Sequence, residues 1–226
     1  MAQETLAKNT ENKAVIFDLD GTLLDTVPDI CSYVNTALTH FGYPTVTIAD
    51  VTRFIGNGAR NLIIRSLGGD KPDSVVDEVL AFYNGVYNNG ENKLTVVFDG
   101  IMPVLEELKK QGYKLVIMTN KPQRNTDGLY KRFFEKIGFD AVIGQSDKVK
   151  CKPDKTATVN VLNSLNVLPS NTYFIGDGET DVITAKNVGC KGIAVLWGYR
   201  TKEQLESAGA TVFASNPQEL FSLLSL

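Results

Sequence analysis

Histidine and cysteine are scarce in this chain. Of 226 residues, one is histidine (His40) and three are cysteine (Cys31, Cys151 and Cys190). A single histidine excludes any site built on paired imidazoles, and His40 lies in a helical stretch far from the acidic motifs, so it reads as structural or solvent-exposed. Three cysteines are an odd number without metal-site spacing, which argues against a disulfide framework and for a reducing compartment. Cys151 precedes Lys152 and invites a reading as a reactive thiol, but a neutral thiol beside a loop is the plainer one. Positive charge is also short: 23 Lys and Arg against 26 Asp and Glu leave a formal charge of −3. No electrostatic footprint for nucleic acid follows from that balance. No apolar run approaches the roughly 20 residues that span a bilayer. Residues 1–12 are polar and lack the apolar centre of a signal peptide, so they are expected to be a disordered arm, and the protein is expected in the cytoplasm.

What is present is a set of polar residues where apolar runs stop. AVIF runs into Asp18-Leu19-Asp20-Gly21-Thr22, KLVIM into Thr119-Asn120, and YFIG into Asp177-Gly178-Glu179-Thr180-Asp181. Lys152 sits in a loop before Pro153. Short apolar strands that alternate with helices predict a parallel sheet covered on both faces. Strands are expected at 13–18, 114–119, 141–144, 173–176 and 192–197. Helices are expected at 101–111, 122–137, 154–166, 181–188 and 202–208. In such a sheet the ligand crevice lies outside the carboxyl ends of the strands. Four carboxylates, a hydroxyl and an ammonium would meet there. Carboxylates crowd only around a cation, and an all-oxygen ligand set selects Mg²⁺.

The alternation breaks between about 28 and 95. Val27-Pro28-Asp29 opens a helix whose apolar face runs Ile30, Val34, Ala37, Leu38, Phe41 and which ends at Gly42. A second helix is expected from Gly58, carrying Leu62, Ile63 and Leu67 to Gly68-Gly69, and a third from Pro72 to Tyr87. Phe82, Tyr83, Val86 and Tyr87 read as bundle core. The division is therefore 1–12 as an arm, 13–27 with 96–226 as an α/β core, and 28–95 as an inserted helical cap. Gly21–Leu24 and Thr95–Phe98 would be its hinges, and Asp25 a hinge residue.

In order, DLDGTLLDT, MTN, CKPD and GDGETD resemble the motifs of the haloacid dehalogenase-like superfamily, and the helical insertion looks like its C1 cap. The resemblance spans about residues 13–222. It implies a Rossmann-like fold and phosphoryl transfer with Mg²⁺. By that resemblance Asp18 is the nucleophile and Asp20 the general acid and base, its backbone carbonyl also on the metal. Thr119 and Asn120 bind the phosphoryl group, and Lys152 balances its charge. Asp177 ligates Mg²⁺ directly and Asp181 through water or from behind the ligands, with Glu179 a further outer acceptor. Lys121 is read as solvated.

The cap stretch Arg53-Phe54-Ile55-Gly56-Asn57-Gly58-Ala59-Arg60 resembles the cap loop of phosphoglycolate phosphatases. Two readings stand for it. Gly56, Asn57 and Gly58 bring backbone amides to a small carboxylate at a helix start, with Arg60 or Arg53 pairing to it; or they form a plain turn between cap helices. The expected activity is hydrolysis of a small phosphorylated metabolite, 2-phosphoglycolate first, through an aspartyl-phosphate. The alternatives are a phosphosugar mutase or pyrophosphatase of the same superfamily, or a regulatory binding protein. No nucleic-acid or membrane partner is expected, and the sequence leaves monomer and homodimer open.

Overall fold

A computed structural model describes residues 12–224. The reading of 1–12 as an arm therefore lies, but for Asn12, outside the described residues. Strand β1 (Ala14–Phe17) is followed by a two-residue strand, β2 (Leu24–Asp25). Four helices follow: α1 (Val27–His40), α2 (Ile48–Phe54), α3 (Ala59–Ser66) and α4 (Asp73–Asn89). Strand β3 (Val96–Val97) then pairs antiparallel with β2, so the chain leaves and re-enters at one ribbon. The rest alternates: α5 (Ile101–Lys110), β4 (Lys114–Pro122), α6 (Gln123–Phe133), β5 (Ala141–Gln145), α7 (Thr156–Ser164), β6 (Thr172–Gly176), α8 (Glu179–Val188), β7 (Lys191–Val195), α9 (Lys202–Ser207), β8 (Phe213–Ala214) and α10 (Pro217–Leu224).

The six long-range strands form one parallel sheet in the order β5-β4-β1-β6-β7-β8. The chain builds outward from β1 through β4 to β5, then returns to the other side of β1 at β6. That reversal makes β1 the switch point, where a crevice opens at the strand ends. Strand periodicity divides the core. Val15, Phe17, Leu115, Ile117 and Ile175 face α5, α6 and α10 on one side, while Ala14, Ile16, Val116, Met118 and Phe174 face α7 and α8 on the other. A third apolar cluster lies within α1–α4 and holds Val34, Leu38, Ile63 and Val79.

Two differences from the sequence reading concern elements. Helix α2 was not expected; Thr47 caps it and exchanges hydrogen bonds with Asp50, a capping box that opens a helix of seven residues. The C-terminal pair β8 and α10 was also not expected, β8 being two residues long and α10 starting only two residues after it.

Candidate active site

The register sets the site. Phe17 is level with Ile117 of β4 and Ile175 of β6, so Asp18, the residue after β1, falls one residue short of the level of Thr119 and Asp177. The Asp18 N–H still donates to the Ile175 carbonyl at 2.9 Å, which holds the residue on the strand axis. The chain then turns sharply: Leu23 and Leu24 both donate to the Leu19 carbonyl. Gly21 takes a positive φ of 87°, and a Cβ there would collide with the Asp177 carboxylate. Gly198 is held in the same way, because its Cβ would run into Asp177 and the Gly21 carbonyl.

Asp18, Asp177 and Asp181 bring carboxylate oxygens within 4.8 Å of one another. Asp177 accepts from Thr22 Oγ1 at 2.9 Å and from the Tyr199 N–H at 2.8 Å. Burial, and then the charges of Asp18 and Asp181, push its carboxyl up to about 8. The Lys152 ammonium lies 2.9 Å from Asp18 Oδ1 and 2.6 Å from Asp181 Oδ1, with its side chain 3% exposed. Burial alone would lower Lys152, but the two carboxylates outweigh it and hold the ammonium above its ordinary value. Burial pushes the Asp181 carboxyl up while Lys152 pulls it down. The 2.6 Å contact and the Gly178 N–H on the other oxygen both favour the carboxylate, so we read this pair as ionised.

These residues fit a hard divalent cation. Three carboxylates meet against one ammonium, which leaves negative charge unbalanced. Asp18 Oδ1 is buried, and the one ammonium near it, Lys152 at 2.9 Å, is shared with Asp181. Oxygen donors without His or Cys suit Mg²⁺.

A cavity of about 70 Å³ opens over Asp18, Asp20, Thr119 and Asp177 and is roofed by the helices. Gly56, Asn57 and Gly58 line it, as do Ile55, Leu62, Tyr83 and Tyr87. Tyr83 and Tyr87 are thus both bundle core and cavity wall. Asn120 joins sheet and roof: its side-chain NH₂ donates to the carbonyls of Gly56 (3.0 Å) and Lys152 (3.2 Å), and its Oδ1 accepts from the Lys152 N–H (2.6 Å). Glu179 lines the cavity but is paired with Arg200 at 3.1 Å. Asp25 accepts from the Tyr199 hydroxyl at 3.0 Å, on the ribbon. Burial pushes the Cys151 thiol up against the pull of Lys152, so it is no activated nucleophile. His40 stacks on Phe82 at 4.0 Å, within the helical unit.

Two sequence expectations are corrected. Arg60 does not face the cavity: its guanidinium pairs with Asp73 and Asp77 of α4, because α3 turns that side of the helix toward α4. Arg53 likewise pairs with Asp50. The arginine that lines the cavity is Arg200, in the turn after β7. Lys121, expected in solvent, is buried and lies 2.8 Å from Asp20 Oδ1 and 3.1 Å from Oδ2. Both had a legible signal. Lys121 is two residues beyond Thr119 and shares its strand face, and Arg200 follows a strand end as Asp177 does.

The sheet is doubly wound and parallel, with an acidic cluster at its switch point, and inserted helices roof it. The haloacid dehalogenase-like hydrolase pattern matches residues 15–195, and the chain belongs to that family. It is 36% identical over 203 residues to the phosphoglycolate phosphatase of Pseudomonas putida KT2440, covering 87% of this chain and 74% of that protein. With the phosphoglycolate phosphatase of Aliivibrio fischeri ES114 it shares 30% over 220 residues, covering 95% and 97%. Among solved structures, one from Lactobacillus delbrueckii subsp. bulgaricus, predicted to be a phosphoglycolate phosphatase, superposes with a TM-score of 0.89 at 29% identity, covering 94% and 98%. The chain is accordingly a phosphoric monoester hydrolase of this family. No helix of the described residues is long and apolar enough to cross a membrane.

Proposed function

We propose that the protein hydrolyses a small phosphomonoester, 2-phosphoglycolate first, through an aspartyl-phosphate on Asp18. In this reading residues 13–27 and 96–226 are the catalytic core and 28–95 the cap. Asp18 attacks phosphorus, and the bond to the leaving oxygen breaks. Asp20 gives that oxygen its proton, then takes one from the water that attacks the aspartyl-phosphate and returns Asp18 to a carboxylate. The Thr119 hydroxyl and the Asn120 backbone hold the phosphoryl oxygens. Lys152, already against Asp18, balances charge as the phosphoryl group arrives. When bound, Mg²⁺ would be held by Asp18, the Asp20 carbonyl and Asp177, with Asp181 acting through water, and would offset the repulsion between carboxylate and phosphate.

The observation that carries this reading is the meeting of Asp18, Asp20, Thr119 and Asp177 with the Gly56–Gly58 loop around one small cavity. The likeness to the two phosphoglycolate phosphatases supports the choice of substrate. The test is phosphate release from a panel of small phosphomonoesters with Mg²⁺ and with chelator. Activity should vanish with the metal and be highest on phosphoglycolate. Asp18→Ala should abolish covalent phosphoryl capture, and a phosphorylated aspartate in that variant would refute the assignment. Isomer formation dependent on a bisphosphate, in place of phosphate release, would favour a mutase.

A further inference from the structure

Asp20 has two carboxylate oxygens, and both are engaged. Thr26 Oγ1 donates to Oδ1 at 2.6 Å, and the Lys121 ammonium reaches both oxygens. Asp20 nevertheless lines the cavity, so its partners lie at the cavity's edge. Lys121 is itself out of water, with its side chain 3% exposed and its ammonium 4.9 Å from the centre of the Tyr87 ring in α4. A buried ammonium needs an anion, and here Asp20 is that anion. Lys121 also lines the cavity, between the sheet and the cap tyrosines.

The other cations near the cavity are committed elsewhere. Lys152 is taken by Asp18 and Asp181. Arg200 gives its donors to Glu179 and to the carbonyls of Thr52 and Ile55. Of the three, Lys121 alone both lines the cavity and pairs with the residue assigned as general acid and base.

We propose that Lys121 recognises a carboxylate on the organic part of the substrate, exchanging its contact with Asp20 for one with that carboxylate. The inference rests on the phosphatase reading above and names the residue that selects the substrate. In a phosphorylated 2-hydroxy acid the carboxylate is one carbon away from the ester oxygen. It would therefore arrive beside the oxygen that Asp20 serves, within reach of the end of one flexible lysine. A phosphomonoester without a carboxylate leaves Lys121 on Asp20. A site built around a charged partner rejects the analogue that lacks it, because its own buried group is then left unpaired.

The test is a ratio of kcat/KM for 2-phosphoglycolate to that for ethyl phosphate, which lacks the carboxylate, in wild type, Lys121→Met and Lys121→Arg. Loss of one charge-assisted contact predicts a fall in the ratio of about 10- to 100-fold in Lys121→Met. The fall should appear mainly in KM for phosphoglycolate, with partial recovery in Lys121→Arg. Equal losses on both substrates would overturn the proposal and leave Lys121 as a support for Asp20. A second measurement needs no variant. Phosphonoacetate should inhibit the wild type at least about tenfold more tightly than ethylphosphonate, and equal inhibition would overturn the proposal. Should the wild type prefer another carboxylated phosphomonoester, phosphoglycolate falls as the substrate and the role of Lys121 stands. Should it release phosphate from none, the phosphatase reading falls, and this role with it.

Discussion

Asp177 is a carboxylate with almost no room to move. Thr22 and the Tyr199 N–H fix its two oxygens, and Gly21 and Gly198 press on its flanks. A methyl group at 198 would meet the Asp177 side chain and the Gly21 carbonyl together, and backbone on the far side cannot yield as a side-chain tip does. Gly198→Ala should therefore cost about 1–3 kcal/mol of stability. It should also weaken Mg²⁺ activation, read as a rise of tenfold or more in the Mg²⁺ concentration for half-maximal rate. Unchanged metal dependence would mean that Asp177 does not hold the ion. At this scale acidic residues were more legible than basic ones. Asp18, Asp20 and Asp177 end apolar runs within recognisable motifs. Lys121 and Arg200 carried only a positional signal, a strand face and a strand end, while the direction of Arg60, a single long side chain, depends on which partner lies within reach. Arg60 found Asp73 and Asp77 across a helix pair, while Lys121 found Asp20 from a strand 101 residues away.

Between elements, charge ties β4 to its neighbours at the end away from the site. Asp140, before β5, meets Lys109 of α5 and Lys114 of β4 at 3.0 Å each and accepts from the Leu115 N–H at 3.0 Å. Burial would raise this carboxyl, but those partners outweigh it and hold it below the ordinary range. Its folded value thus lies below its unfolded value. The stability it adds is full above the unfolded value near 3.9 and is lost as pH falls through the folded one. Asp140→Asn should cost about 1–2 kcal/mol at pH 7 and progressively less as pH falls below about 3.9, as measured by urea unfolding. At the site end, Arg200 joins the turn after β7 to the end of α2, donating to Thr52 O at 2.8 Å and Ile55 O at 2.6 Å. These carbonyls lie at a helix C-terminus, where a cation is favourable. Arg200→Ala should raise KM for phosphoglycolate about tenfold and speed proteolytic cleavage near Gly56; no change in either would make the contact incidental. Long elements were legible because period 2 and period 3.6 repeat several times along them. Helix α2 has about two turns and one buried residue, Val51, so only its Thr47–Asp50 cap marked it.

On the scale of the molecule the apolar interior of α1–α4 is separate from the two that cover the faces of the sheet, and the β2–β3 ribbon joins them. That separation was legible, because a run of helices without strands cannot share a parallel sheet's alternation. What fastens the joint was not legible. Asp29, in the first turn of α1, is 4% exposed, and its Oδ2 accepts from the Leu94 N–H (3.0 Å), the Thr95 N–H (2.6 Å) and Thr95 Oγ1 (2.7 Å). One carboxylate oxygen thus holds the outgoing helix against the returning chain, 65 residues later. Asp29→Ala strands three donors at a largely buried joint, and each such loss costs about 1–3 kcal/mol where water cannot enter. Partial hydration of Leu94, which is exposed at 56%, brings the expected sum down to about 2–4 kcal/mol. The interior of α1–α4 and those on the sheet share few apolar contacts, so the loss should not spread evenly. Amide exchange should accelerate in α1–α4 while β1, β4 and β6 keep their protection, as expected of separate cooperative units. Phosphatase rate should fall with it, because the loop between α2 and α3 roofs the cavity. If exchange instead rises equally in sheet and helices, the two unfold as one body, and Asp29 supports the whole fold rather than the joint.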